Sequence, residues 1–153
     1  MAIVQMQIQG LMVDPYNQAY IVVLRPDEES GGELLPIWVG KPEANAIGLA
    51  LEHVDSPRPM THDLLKEVIE ALGARVLSVV VTDLVENTFY AKVHLLHGDG
   101  EITVDARPSD AIALALRTEC PVFVDSDVLS KSRTGEIEQW LENLKPEDFG
   151  KAD

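Results

Sequence analysis

At 153 residues, 46% of them hydrophobic, the chain is long enough for one globular domain with a real core, or two small ones at most. A net charge of −14 excludes nonspecific binding to a phosphate backbone through a broadly basic surface; contact with nucleic acid needs a local basic patch or bridging divalent cations. A single cysteine excludes an intrachain disulfide. No apolar run reaches the ~18 residues of a membrane span and no signal-peptide pattern opens the chain, so a cytoplasmic protein without a membrane segment is expected.

From the N-terminus, residues 3–9 alternate. Val4, Met6 and Ile8 face one way and Gln5, Gln7 and Gln9 the other, as in a half-buried strand. Gly10 marks a bulge or bend. Asp14-Pro15-Tyr16-Asn17 is turn chemistry, residues 19–24 are a second strand, almost wholly apolar, and 26–32 an acidic loop. A third strand over 34–39 leads into a helix that opens at Lys41-Pro42-Glu43 and ends near His53. Pro57 and Pro59 stiffen the approach to an amphipathic helix over 61–72. Thr61 is its expected N-cap, Asp63 lies in its first turn and Gly73 stops it. Leu64, Leu65, Val68, Ile69 and Leu72 share one face; Lys66, Glu67 and Glu70 face outward.

The second half repeats the plan. A valine-rich strand over 75–82 is followed by a turn at Glu86-Asn87. Residues 88–95 alternate, with Phe89, Ala91, Val93 and Leu95 inward. Gly98-Asp99-Gly100 is a tight hairpin and 101–105 a further strand. That strand turns through Arg107-Pro108-Ser109-Asp110 into a helix, and all four residues suit a helix start. From Ala111 to Leu116 the helix has no polar face, so it is expected to be buried. Cys120 reads as a small buried hydrophobe. A short strand at 122–124 and a helical turn at 126–129 follow. Residues 134–144 place Ile137, Trp140, Leu141 and Leu144 on one face of a terminal helix.

Shifting the sequence by 65 lays residues 37–52 on 102–117 with seven of sixteen pairs identical, among them Ile37/Ile102, Val39/Val104 and Ile47/Ile112. The expected fold is therefore α+β: an internally duplicated unit of three strands and a helix, over 3–53 and 75–117. The sheets are mostly antiparallel and the helices buried. The helix over 61–72 links the copies. Residues 1–132 form the main domain and 133–153 a helical tail.

Two polar turns carry the chemistry-bearing side chains. Asp105 and Asp110 could offer a divalent cation the oxygen ligands it prefers. Equally, Arg107 could pair with a carboxylate while Ser109 and Asp110 cap the helix. At the other turn, His62 beside Asp63 could act as a base or ligand, or stand as an exposed first-turn histidine on a capped helix. His53, His94 and His97 lack zinc-site spacing. There is no glycine-rich phosphate loop and no nucleophile elbow.

The stretches P-R-P-M-T-H-D-L-L at 57–65 and V-D-A-R-P-S-D-A-I-A-L-A-L-R at 104–117, with P-I-W-V-G-K-P-E-A-N-A-I at 36–47, narrow this. Together they resemble the bifunctional nuclease domain family over residues 3–130. The family is named for plant members that resemble DNases and RNases in activity. Members often carry a further C-terminal module, where this chain has only the short helix over 134–144. The resemblance implies cleavage of DNA or RNA. Residue chemistry supplies the roles such a nuclease would need: Asp63, Asp105 and Asp110 would hold Mg²⁺ or Mn²⁺, His62 would be the base, Arg58 and Arg107 would stabilise developing charge, and Thr61 and Ser109 would contact substrate. The net charge speaks instead for a noncatalytic binding or regulatory module that docks a ligand or protein, and both readings stand at this point. Edge strands and the Trp140 anchor point to a homodimer.

Overall fold

Alternation carries the first strand, β1 (Ile3–Val13), past Gly10. A register shift between Ile8 and Gly10 resets which side chains face inward, so Leu11 and Met12 are both buried. The computed structural model describes residues 2–14, 19–27 and 33–132. β1 is joined there by β2 (Tyr20–Pro26), β3 (Leu35–Val39), β4 (Ala74–Val85), β5 (Thr88–His97), β6 (Gly100–Ala106) and β7 (Val122–Asp125). The helices are α1 (Lys41–Leu51), α2 (Thr61–Ala71), α3 (Pro108–Thr118) and α4 (Ser126–Lys131). The expected turn at 15–17, most of the acidic loop and the helix over 134–144 lie outside the described residues.

The fold is α+β, with one mixed sheet of seven strands among the described residues, in the order β3-β2-β1-β7-β4-β5-β6. β7 joins the strands of the two halves into this one sheet. It runs antiparallel to β1 and parallel to β4, and every other pair is antiparallel. Each half runs three strands and then a helix. Glu86 and Asn87 both take positive φ, 51° and 65°, which turns β4 into β5 with the twist a two-residue hairpin needs.

The apolar run in α3 is buried as expected, from Ala111 to Ala115. α3 packs against α1. Ala44, Ala46 and Gly48 in α1, and Ala111, Ala113 and Ala115 in α3, are all buried small residues that allow close backbone approach. Ile47, Ile112, Leu24, Leu35 and Val124 fill the space between the helices and the sheet. No helix among the described residues is long and apolar enough to cross a membrane.

α2 departs from expectation at two points. Its N-cap is Met60, not Thr61. The Asp63 carboxylate reaches back to accept from the Met60 N–H at 2.9 Å, so the chain is already capped when Thr61 enters the helix. The apolar face is the second: Leu64, Leu65, Val68 and Leu72 are 54%, 41%, 45% and 71% exposed. α2 meets the body through His62, Asp63 and the half-buried Ile69, which turns the leucine stripe away.

Candidate functional site

The starts of α1, α2 and α3 converge, and each brings polar side chains. Arg107 is the extended N-cap of α3, with Pro108 at the first helical position. His62, buried in the first turn of α2, places Nε2 2.9 Å from Asp110 Oδ1. The other oxygen of Asp110 accepts from Arg107 Nε at 2.9 Å. Arg107 Nη2 also lies 2.8 Å from Glu43 Oε1, in the first turn of α1. One guanidinium thus bridges the first turns of two helices. Glu43 Oε2 is buried and, among the described residues, has no hydrogen-bond partner. A Cβ on Gly40 would come within 2.9 Å of that oxygen, so glycine there leaves room for the carboxylate.

A second link lies beside the first. Arg117 Nε donates to Asp63 Oδ1 at 2.7 Å, Nη1 to the Ala113 carbonyl at 2.9 Å and Nη2 to the Ala46 carbonyl at 3.0 Å. This buried guanidinium ties all three helices together.

The pairing sets the protonation states. The Met60 N–H, together with Arg117, outweighs burial and holds the Asp63 carboxyl below its ordinary value. Burial works to raise the Asp110 carboxyl, and the hydrogen bonds from Arg107 and His62 more than reverse it, so it too lies low. The Asp110 hydrogen bond raises Arg107 further. Burial pushes the Cys120 thiol up, which fits an inert packing role.

Of the residues singled out from sequence, Thr61, His62, Arg107 and Asp110 line one cavity of about 460 Å³. Asp63 lies alongside on Arg117. Ser109 is buried and lines a different cavity, which also has Arg107 in its wall. Asp105 is not brought in. Strand alternation sends it to the face opposite Val104 and Ala106, where it is 3.9 Å from Lys92 on β5. Arg58 is exposed before α2. The carboxylates of Asp63, Asp105 and Asp110 are therefore not gathered. Among the described residues no three His, Cys, Asp or Glu side chains are placed to hold a metal ion together. Glu43 and Arg117 complete the cluster and were not singled out as site residues. Arg117 had one signal: a lone charge on a helix without a polar face must find a buried partner.

The model of the bifunctional nuclease domain matches residues 22–136. The chain belongs to the bifunctional nuclease domain family. An uncharacterized protein of Mycobacterium tuberculosis (strain ATCC 25618 / H37Rv) is 38% identical over 165 residues, covering 95% of this chain and 97% of the relative. Bifunctional nuclease 2 of Arabidopsis thaliana is 32% identical over 120 residues, covering 76% of this chain and 36% of the plant protein. Bifunctional nuclease 1 of Oryza sativa subsp. japonica is 33% identical over 101 residues, 64% of this chain and 30% of the rice protein. The family's domain is thus about a third of the plant proteins, which bear the nuclease name.

Proposed function

We propose that the chain cleaves phosphodiester bonds in DNA or RNA at the His62–Asp110 pair. One observation carries this: the two motif stretches, 48 residues apart in sequence at this point, bring His62 Nε2 within 2.9 Å of Asp110 beside a guanidinium. Family membership supports a nuclease class. Asp110, held ionised, takes the Nε2–H of His62 and leaves Nδ1 as the lone-pair nitrogen. That nitrogen is the general base that draws a proton from the attacking water. Arg107, exposed on one side, stabilises charge developing on the phosphoryl oxygens. Lys41, Arg107 and Arg117 balance Glu43, Asp63 and Asp110, so this spot is locally neutral despite the chain's −14.

Mg²⁺ or Mn²⁺ belongs to the proposal with a changed ligand set. Among the described residues Glu43 has a buried oxygen without a partner, and Asp110 pairs with the same guanidinium, so these two carboxylates would hold the ion. When bound, the ion would neutralise phosphate charge. The test is cleavage of single-stranded DNA and RNA by the wild type and by His62→Gln, with Mg²⁺, Mn²⁺ or chelator. Gln still reaches Asp110, so the fold should persist while the rate falls about 100-fold or more. A wild type silent under every condition, or a His62→Gln variant that keeps its rate, overturns the reading.

A noncatalytic docking module is the second reading. It is favoured by one fact: the carboxylates of the cluster are all engaged by guanidiniums, as in a structural joint. We place the protein in the cytoplasm, where a lone thiol is kept reduced. We also propose a homodimer through the exposed apolar face of α2.

A further inference from the structure

A cavity of about 550 Å³ opens where β3, the β4–β5 hairpin, the start of α3 and the end of α4 meet. That size falls in the range of small-molecule sites, about 300–1,000 Å³. Its lining combines two chemistries. One is apolar and aromatic, with Trp38, Val39, Leu84 and Phe89. The Trp38 indole N–H donates to Asp14 Oδ2 at 3.1 Å, which fixes the ring, and the residue is 43% exposed.

The other part of the lining suits an anion. Pro108 has no N–H, and the first backbone bond of α3 runs from the Ala111 N–H to the Arg107 carbonyl. The Ser109 and Asp110 N–H groups are therefore left without a helical acceptor, at the positive end of the helix dipole. Ser109 is only 6% exposed, and among the described residues its hydroxyl makes no hydrogen bond. The residue lines an open cavity, and its hydroxyl is not fully enclosed. Lys131 stands in the same wall, with Arg107, which is already paired with Glu43 and Asp110.

We propose that this cavity binds a nucleotide, its phosphate on the Ser109 hydroxyl and the start of α3, its base against Trp38 and Phe89. Backbone N–H groups at a helix start, a hydroxyl and flanking cations are phosphate chemistry, and a fixed aromatic ring takes any base by stacking. Arg107 borders both this cavity and the His62–Asp110 cavity. The inference deepens the phosphodiesterase reading and rests on it: a strand seated here by one phosphate runs past Arg107 toward His62.

The test reads binding without turnover, in chelator. Trp38 fluorescence is followed in a Trp140→Phe chain titrated with adenosine 5′-monophosphate, adenosine or inorganic phosphate. Saturable quenching is expected with the monophosphate, and weaker binding with either fragment. Ser109→Ala should weaken binding about tenfold or more, the worth of one hydrogen bond to a charged group. Ser109→Asp should abolish it with the fold retained, because a first-turn carboxylate suits the helix dipole. Should Ser109→Asp melt early, Lys131→Glu on the exposed rim replaces it and must also weaken binding.

No saturation by about 10 mM monophosphate, a limit beyond ordinary affinities, overturns the proposal. Equal binding by adenosine removes the phosphate seat, and equal binding by phosphate removes the base wall; either overturns it. Monophosphate binding that survives His62→Gln while cleavage is lost supports both readings. Cleavage that proceeds in a chain that binds no monophosphate overturns this one alone.

Discussion

Arg117 uses every arm of its guanidinium. Nε takes a carboxylate on α2, Nη1 a carbonyl on α3 and Nη2 a carbonyl on α1. Lysine has one compact ammonium and cannot copy that fork. Arg117→Lys should therefore cost about 2 kcal/mol and Arg117→Met about 3, the low end for breaking a buried pair because Asp63 is partly solvated. Urea unfolding checks this. In the Arg117→Met background, Asp63→Asn should add little, because its partner is already gone. A loss under about 0.5 kcal/mol for Arg117→Met would mean that the three helices are held by packing alone. The one signal in the sequence, a charge at the end of an apolar run, does not say which partners it takes. Its partners are 54 and 71 positions away, and spacing arguments look only a few residues along a helix.

Those carboxylates decide how α2 responds to acid. Asp63 and Asp110 both have folded pKa values below the ordinary 3.8. A lowered folded pKa means that the stabilisation is complete above the unfolded value and is lost as pH falls through the folded one. Both groups join α2 to α3, so α2 should loosen first below about pH 4. Hydrogen exchange across 61–71 should rise there before exchange in β4 and β5. In Asp63→Asn/Asp110→Asn, the melting temperature should be lower at neutral pH, and the gap to wild type should close as pH falls toward 3. A gap that stays constant with pH would assign the loss to packing.

Elements were legible wherever period and terminal chemistry agreed. The apolar run of α3, the bend at Gly10 and the stop at Gly73 (φ 82°) all follow from single-residue physics. The gathering of His62 with Asp110 was foreshadowed only as two separate polar turns. Asp105 failed for a plain reason: it lies on a strand, one residue out of phase with the inward face, while Asp110 lies beyond the turn on a helix. Amphipathy identified the leucine face of α2 correctly, but a stripe of leucines does not say what covers it.

At the scale of the whole molecule that face is the open question, and a second copy is the occupant we argue. Met60, Leu64, Leu65, Val68 and Leu72 are each at least 41% exposed. Ile102 and Val104 on the edge strand β6 are 45% and 44% exposed and share a sheet face with Val93 and Leu95, which pack toward the helices. Both sets are exposed apolar surface of the kind an interface covers. Extension of the sheet through β6 is the poorer route, because antiparallel pairing about Thr103 would set Glu101 against Asp105 of the partner. Helix-face contact avoids that clash, since the polar side of α2 turns the other way. Two chains of −14 still repel, so association should tighten as salt screens them. Light scattering should give twice the 16.8 kDa chain mass at about 0.15 M salt, with dissociation at low ionic strength. Leu72→Glu, at a side chain 71% exposed, adds a charge to the patch without touching the core, and should leave a folded monomer. A wild type that holds the single-chain mass at every concentration and salt, with Leu72→Glu indistinguishable from it, removes the dimer and leaves the α2 face to a different partner.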